Sequence, residues 1–321
     1  MRKLELALAA IFVAAFAYTG WQWWGPGPLA KPATVEIPDG ATLGQASEIL
    51  AYHGAIDGLG PEWNYLSRLF GSSDPIQAGE FEIPKGASGS AVLDLLQHGR
   101  PIQRLITVTE GMPSIIVAEK LAANAFLAGA VPPIGEGTVL PDSYGYERGE
   151  ERGAVVRRMQ SAMTKTLDQL IPKNSGKCPV TSRTEIVTLA SIVEKETGKA
   201  SERRMVAGVY CNRLRIGMKL DADPTVIYPI TKGKPLGRRI RRSELMAQTG
   251  YNTYRQPGLP LGPIANPGRE SIAAVMNPAD TKAIYFVADG TGGHVFAETF
   301  QQHQANVKRW YAIRRQRGEC S

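Results

Sequence analysis

The sequence predicts an α+β protein built from four successive parts. The first 24 residues are mostly apolar, strand–turn–helix patterns recur over residues 35–121, and an amphipathic helix at 186–197 ends near a glycine. The chain has 321 residues, which is enough for two folded domains with sizeable cores. We therefore expect these parts: an amino-terminal helix at 1–24, a linker at 25–33, a small module at 34–100 and a mixed α+β domain at 101–321.

The net charge of +7 favours an anionic partner such as a membrane surface, an acidic polymer or nucleic acid. Two basic runs, at 238–242 and 314–317, lack the interleaved aromatics and the helix-turn-helix pattern of nucleic-acid-binding proteins. We read them as solvent-exposed charge or as contacts with lipid headgroups and acidic polymers, and we expect no nucleic-acid partner. Three cysteines and four histidines show no metal-binding spacing, so no metal site is expected. A Cys178–Cys211 disulfide is left open.

The amino-terminal segment has the length and composition of a membrane anchor. Residues 4–24 are nearly continuously apolar, with Glu5 as the only charge, and about 20 such residues span a bilayer. Arg2 and Lys3 precede the segment and no basic residue follows until Lys31, which predicts a cytoplasmic amino terminus. A cleavable signal peptide is the alternative, but the apolar run is long and no small-x-small cleavage site precedes the tryptophans.

Three segments share one strand–turn–helix pattern: VEIPDGATLGQASEIL at 35–50, FEIPKGASGSAVLDLL at 81–96 and TVTEGMPSIIVAEKL at 107–121. Each has a glycine in its turn and a hydroxyl residue where a helix N-cap would lie: Gly40 with Thr42, Gly86 with Ser88, and Gly111 with Ser114. The first two copies predict a small α+β module, which is either purely structural or a glycan-binding module. This half of the chain resembles the LysM-like module found ahead of certain cell-wall glycosidases.

The helix at 186–197 directs two carboxylates away from each other. At 100° per residue, Glu196 falls about 80° from Ile186 on the side of Leu189, and Glu194 falls about 80° away on the other side. Only one of them can face a given cleft. Glu196 lies closer to the apolar stripe, where desolvation would raise its pKa and keep it protonated as a general acid. Glu194 is predicted to be a solvated or structural charge, and two surface glutamates remain the alternative.

Several motifs beyond this helix resemble one family. The segment LASIVEKETGKASERRMVAGVYCNRLRIGMKLDADPTVIY at 189–228 resembles the signature of the YceG-like (MltG) family of endolytic murein transglycosylases. So do YNTYRQPGLPLGPIANPG at 251–268 and YFVADGTGGHVF at 285–296. LPDSY at 140–144 is similar to the family's PDT-aromatic segment, with Ser143 where the family has Thr. The resemblance implies a YceG-like catalytic domain that uses no cofactor.

The resemblance also implies a reaction. Family members cut the β-1,4 bond between N-acetylmuramic acid and N-acetylglucosamine inside glycan strands without water, and they leave 1,6-anhydro ends. The family's catalytic glutamate matches Glu196, and we interpret it as the general acid and base. Asp223, Tyr228, Asn252 and Tyr254 are candidates for lining the sugar groove, although each also fits a turn or the core.

Two local predictions concern the surroundings of these residues. An Asp-Pro-Thr turn at 223–225 is expected to precede a strand at 226–228, and a glycine-rich turn at 290–294 is expected to join two strands of a hairpin. Its His294 is expected to be structural.

The expected protein is therefore an inner-membrane enzyme with one amino-terminal span and its catalytic domain in the periplasm. Its partner is peptidoglycan, and action on nascent strands with peptidoglycan synthases is an expectation at the level of the family. The alternative is a non-catalytic wall-binding scaffold that recruits cell-wall synthases.

Overall fold

The chain divides into two compact units in a computed structural model, which describes residues 2–318. The first unit runs to Arg104 and includes Gly145–Gly149, and the second comprises Leu105–Tyr144 and the chain from Glu150 onward. Helices predominate, and the strands of the described residues form three two-stranded sheets. This mixture agrees with the predicted α+β class.

The first helix, α1 (Arg2–Trp24), begins the first unit. Its middle carries large exposed apolar side chains, among them Ile11, Phe12 and Phe16. Near its end the ring of Trp23 is buried and lies 6.3 Å from the ring of Trp63. Among the described residues, no helix combines the length and the hydropathy needed to cross a membrane.

Two strand–turn–helix patterns build the rest of the first unit, as predicted. Its elements are β1 (Ala33–Ile37), α2 (Leu43–Tyr52), α3 (Gly60–Phe70), β2 (Gly79–Ile83) and α4 (Gly89–His98). The strands β1 and β2 pair antiparallel, with Val35 opposite Phe81, and both side chains are fully buried. The helix α3 between the two patterns was not predicted, although its Trp63 and Leu66 complete the core.

The turn glycines confirm the repeat, whereas one of the three predicted caps is wrong. Gly40, Gly86 and Gly111 all have a left-handed φ of 66–71°. Thr42 and Ser88 cap their helices by accepting hydrogen bonds from backbone N–H groups. In the third copy, Pro113 occupies the N-cap position and Ser114 is the first helical residue. The Ser114 hydroxyl donates to the carbonyl of Gly135 instead, because that segment packs against the helix start.

The second unit is built around one buried helix. The chain forms β3 (Arg104–Thr107), α5 (Ser114–Ala123), β4 (Ser143–Tyr146), α6 (Arg152–Leu170), α7 (Arg183–Glu196), α8 (Arg203–Arg215), α9 (Asp223–Thr231), α10 (Arg242–Met246), α11 (Arg269–Met276), β5 (Tyr285–Ala288), β6 (His294–Ala297) and α12 (Phe300–Gln316). Every residue of α7 from Ile186 to Val193 is buried. The helix packs against α8, α9 and α11, so its last turn is held from several sides.

The predicted strand at 226–228 is wrong, because this segment lies in α9. Val226 and Ile227 are β-branched and favour strands, but Asp223 and Pro224 occupy the first turn of a helix, where proline is well tolerated. The Thr225 hydroxyl also donates to the carbonyl of Ala222. These start signals and the packing against α7 outweigh the local strand propensity.

The predicted hairpin and the open disulfide question are both resolved. Strands β5 and β6 pair antiparallel around the glycine-rich turn, and α12 packs against both. His294 is structural as predicted: its backbone N–H and its ring Nδ1 both contact the carboxylate of Glu202. Cys178 and Cys211 form a disulfide whose Cα atoms are 4.9 Å apart, and it ties the loop before α7 to α8.

Candidate active site

The helix α7 is fixed at both ends, so the position of its last residue is well defined. At its start, Ser182 and Glu185 form a capping box. At its end, Glu196 is the last helical residue and the buried Thr197 is the C-cap. The Thr197 hydroxyl accepts a hydrogen bond from the backbone N–H of Lys199, so it shapes the turn that follows. The Glu196 carboxyl therefore leaves the end of a rigid helix.

A cleft of about 610 Å³ lies in front of Glu196 in the second unit. Ligand sites typically measure roughly 300–1,000 Å³ and are rich in aromatic side chains. The lining combines carboxylates, one arginine and many aromatic rings from α7, α8, α9, β5 and α12: Glu196, Tyr210, Arg213, Leu220, Asp221, Asp223, Tyr254, Tyr285, Phe286, Val287, Phe300, His303, Val307, Trp310 and Tyr311. Such a lining suits a ligand with both hydroxyl groups and apolar faces.

Burial raises the pKa of Glu196 from the ordinary carboxyl value of 4.5 to about 7. A hydrogen bond from the buried Tyr210 hydroxyl and the positive charge of Arg213 both lower this pKa, while the negative charge of Asp223 raises it. Desolvation has the largest effect on the pKa of Glu196, because aromatic side chains line the cleft around the carboxyl. Near neutral pH the group is present in both protonation states, which suits a residue that first donates and then accepts a proton.

Glu194 points elsewhere, and the two carboxylates diverge as the helical geometry predicts. Its side chain is only 5% exposed and lies 3.6 Å from the Arg203 guanidinium. It also accepts a hydrogen bond of 3.0 Å from the backbone N–H of Gly268. Glu194 therefore ties α7 to α8 and to the segment before α11. Of the two predicted environments, structural and solvated, the structural one is correct.

Arg213 forms the buried base of the cleft. Its Nε donates to the carbonyl of Ile284 at 2.7 Å, and its Nη1 donates to the carbonyl of Leu220 at 2.6 Å. The same guanidinium lies 3.9 Å from the Asp221 carboxylate and 5.7 Å from the centre of the Tyr285 ring. Arg213 thus fixes β5 and the loop before α9 around the cleft.

Two of the four predicted sugar-contact residues lie beside Glu196. Asp223 and Tyr254 both line the cleft. The Tyr254 hydroxyl donates a hydrogen bond of 2.7 Å to Asp223 Oδ1, which orients the carboxylate. Burial raises the pKa of the Tyr254 hydroxyl, so Tyr254 is a donor at neutral pH.

The other two predicted residues lie outside this cleft. Tyr228 lines a separate pocket of about 430 Å³, where its hydroxyl bonds to Glu136 and its ring packs 4.8 Å from Tyr251. Asn252 is only 1% exposed. Its amide nitrogen donates to the backbone carbonyls of Glu244, Leu245 and Ala247. The side chain of Asn252 therefore holds a loop, and no part of it lines the cleft.

Sequence reasoning missed the aromatic side of the cleft. Phe300, His303, Trp310 and Tyr311 come from α12, and Tyr285 and Phe286 come from β5. A signal was available: apolar and aromatic residues recur three or four positions apart along 300–311, whereas the rest of this helix is strongly polar. The structure buries no residue of α12, so this stripe is not a core face.

The chain is similar to two bacterial proteins named endolytic murein transglycosylase. It is 26% identical over 318 residues to a protein of Bacillus subtilis (strain 168) named endolytic murein transglycosylase, covering 88% of this chain and 86% of that protein. It is 28% identical over 326 residues to a protein of the same name from Streptococcus pneumoniae serotype 2 (strain D39 / NCTC 7466). That match covers 86% of this chain and 58% of the pneumococcal protein, so the chain spans little more than half of its length.

A solved structure and a family profile agree with these relatives. The fold is similar to a 2.6 Å crystal structure of the yceG-like protein lmo1499 from Listeria monocytogenes, with a TM-score of 0.55 and 22% identity. The similarity covers 86% of this chain and 98% of the Listeria chain. The profile of the YceG-like family matches residues 35–309, which include Glu196 and most of both units. The chain therefore belongs to the YceG-like family.

Proposed function

We propose that this chain is a lytic transglycosylase that cuts peptidoglycan glycan strands internally at the β-1,4 bond between N-acetylmuramic acid and N-acetylglucosamine. The observation that carries the proposal is Glu196, a carboxyl with a pKa of about 7 at the base of an aromatic cleft. Relatives named endolytic murein transglycosylase support the same reaction. Glu196 also falls where the family resemblance puts the catalytic glutamate.

The proposed reaction uses one carboxyl twice. Protonated Glu196 gives its proton to the glycosidic oxygen, the bond from that oxygen to C1 of N-acetylmuramic acid breaks, and an oxocarbenium-like centre develops at C1. The C6 hydroxyl of the same sugar then attacks C1, and the Glu196 carboxylate removes the hydroxyl proton. A 1,6-anhydro end and a free 4-hydroxyl result, and no water is consumed. Acid–base help of this kind contributes roughly 10²–10⁴-fold.

Asp223 has a separate role in this proposal. Its carboxylate accepts the Tyr254 hydrogen bond, and its negative charge raises the pKa of Glu196. A fixed negative charge beside the reaction centre also stabilises the positive charge that develops at C1. Asp223 therefore keeps Glu196 protonated and acts electrostatically on the sugar. Tyr254 holds Asp223 in place.

The second candidate is a hydrolase, because the same cleft contains additional carboxylates. Ordinary glycosidases use two carboxyl groups that flank the bond, and Glu196 with Asp223 would supply such a pair. The two functions differ in the product. Hydrolysis adds water to the new end, whereas the transglycosylase reaction leaves an anhydro end that is lighter by one water.

Mass spectrometry of digested glycan strands separates these functions. Purified strands are incubated with the full chain, with Glu196→Gln and with Glu194→Gln as the matched control from the same helix. We expect 1,6-anhydro ends with the parent and the Glu194 variant, and none with Glu196→Gln. Hydrated reducing ends from the parent would favour the hydrolase. Binding without any cleavage by the parent would favour the wall-binding scaffold.

The site of action is proposed to be the periplasmic face of the inner membrane, with α1 as the anchor. Exposed apolar side chains along α1 and the basic residues at its start support this placement. The Cys178–Cys211 disulfide adds independent support, because disulfides persist in oxidising compartments. Membrane fractionation and protease accessibility in spheroplasts test the proposal. A protected, soluble chain would contradict it.

The first unit is proposed to be a LysM-like module that holds the glycan. Its two antiparallel strands with two intervening helices and its own core support a self-contained module. Sedimentation with insoluble peptidoglycan tests it, with Glu196→Gln as the background so that no strand is cut. If substitutions in the first unit leave the fraction of protein that sediments with peptidoglycan unchanged, the assignment is contradicted. We also propose action on nascent strands beside peptidoglycan synthases, which crosslinking in growing cells would test.

A further inference from the structure

The helix α12 presents an aromatic face to the cleft. With 100° per residue, its five cleft-lining positions fall within about 100° of one another on the helix. They are Phe300, His303, Val307, Trp310 and Tyr311. Phe300 is 57% exposed and Tyr311 is 48% exposed, so both ends of this face reach solvent.

The aromatic rings of this face are held in place by β5, β6 and the turn between them. The His303 ring stacks on the Tyr285 ring at 5.0 Å, with only 17° between the planes. Phe300 lies 5.9 Å from the same Tyr285 ring. Since the Arg213 guanidinium lies 5.7 Å from Tyr285, these aromatic contacts continue to the base of the cleft.

Trp310 is seated against the hairpin turn. A Cβ atom added at Gly290 would lie 3.4 Å from the indole and 3.1 Å from Ile313, and Gly290 has a φ of 83°. Glycine at this position therefore allows α12 to approach the turn closely. The Arg314 guanidinium lies 5.9 Å from the indole centre. The indole is thus positioned as a fixed surface at the edge of the cleft.

We propose that the aromatic face of α12 is a platform on which pyranose rings of the glycan strand stack while the bond is cut at Glu196. The proposal rests on the proposed function and names residues that determine how the strand is held. A pyranose ring has an apolar face of C–H bonds and a rim of hydroxyl groups, and rigid amphipathic aromatic side chains suit it. The cleft supplies polar partners beside the rings, including Asp223 and Tyr254.

A glycan fits this face better than a protein or a lipid would. The rings are continuous with the cleft that contains Glu196, so a strand cut there must extend beyond it. The family profile ends at residue 309, so Trp310 and Tyr311 lie outside the matched region.

Tryptophan fluorescence tests binding directly. Trp310 is the only tryptophan after residue 63 in the sequence. The difference in fluorescence between the chain with Trp310 and the Trp310→Phe variant gives the contribution of Trp310. The probes are chitohexaose and peptide-free glycan strands, added to the full chain carrying Glu196→Gln. We expect a saturable change in the Trp310 signal with both probes. A signal that does not respond to either probe would contradict stacking on Trp310.

Cleavage kinetics test the role of the platform in the reaction. Trp310→Ala and Tyr311→Ala should each raise KM for peptide-free strands by about 3- to 10-fold with little change in kcat. Trp310→Phe and Tyr311→Phe should restore most of the loss, which separates stacking from misfolding. Gln316→Ala is the matched control, since this residue lies on the opposite, exposed face of α12.

The outcomes distinguish the two proposals. If 1,6-anhydro ends form and the alanine variants keep the parent KM, the platform is refuted while the proposed function stands. If no variant and no parent protein produces anhydro ends, the proposed function fails first. If alanine and phenylalanine variants lose activity equally, the residues act through folding and the platform is likewise refuted.

Discussion

Replacing Glu196 by glutamine should abolish cleavage and yet stabilise the protein at alkaline pH. Glutamine keeps the shape of the side chain but removes the ionisable carboxyl. An acid–base residue contributes roughly 10²–10⁴-fold, and the activity should fall by at least that much. The stabilisation follows from the raised pKa, because a buried carboxylate is less stable in the folded chain than in the unfolded one.

The size and sign of the effect follow from the two pKa values. Well below pH 4.5 the carboxyl is protonated in both the folded and the unfolded chain, so it contributes no pH dependence there. Between pH 4.5 and about 7 the unfolded chain loses its proton first, so the folded state binds more protons and its stability falls as the pH rises. The difference between the two pKa values lowers the free energy of unfolding by about 3 kcal/mol at pH 8.

Calorimetry of the full chain at pH 4.5 and pH 8 measures this difference, with the transition of the second unit as the readout. In a unit of this size, about 3 kcal/mol corresponds to a rise in Tm of about 6–12 °C. We expect Glu196→Gln to gain this advantage over the parent only at pH 8. Glu194→Gln is the control and should lose stability, since its carboxylate is paired with Arg203. Equal stability of Glu196→Gln and the parent at both pH values would refute the reasoning.

Three further predictions concern the pKa of Glu196, the disulfide and Asn252. Cleavage should decline above about pH 7. Asp223→Asn should move this decline to lower pH and Tyr210→Phe should move it to higher pH, because Asp223 raises the pKa of Glu196 and Tyr210 lowers it. Profiles of rate against pH check both variants, and shifts in the same direction would contradict the assignment. Converting Cys178 and Cys211 together to serine should destabilise the second unit by about 3–4 kcal/mol, since the disulfide closes a loop of 33 residues. Denaturant unfolding measures this loss of stability, and unchanged stability would contradict the prediction. Asn252→Ala should destabilise the fold by about 1–3 kcal/mol, because the substitution leaves buried carbonyls without a donor. KM of the folded enzyme should stay unchanged. A selective rise in KM would instead support the prediction that Asn252 contacts the sugar.

Elements and side-chain environments were predicted correctly where the local sequence pattern and the burial in the fold agree. The helix α7 was predicted from its apolar stripe and the glycine after its end, and the structure adds a capping box at its start that the prediction did not use. The divergence of Glu194 and Glu196 follows from helical geometry alone. The same holds for the β5–β6 hairpin, whose apolar strands flank a glycine-rich turn. The raised pKa of Glu196 was expected from its place beside the apolar stripe.

Contacts distant in sequence were harder to predict. The strand expected at 226–228 rested on β-branched residues, but the helix start at Asp223 and the packing against α7 decide the conformation. Asn252 gave no signal in the sequence that its amide would hold three backbone carbonyls. The aromatic face of α12 borders the cleft because α12 packs against β5 and β6 while β5 packs against α8, and no local pattern encodes these contacts.

The absence of water from the reaction is the central claim, and isotope labelling tests it most directly. Peptide-free glycan strands are digested by the full chain in water enriched with heavy oxygen, and the new ends are analysed by mass spectrometry. We predict 1,6-anhydro ends without heavy oxygen, formed by the parent and absent with Glu196→Gln. New reducing ends that each carry one heavy oxygen atom would show that water attacks C1, and they would contradict the account.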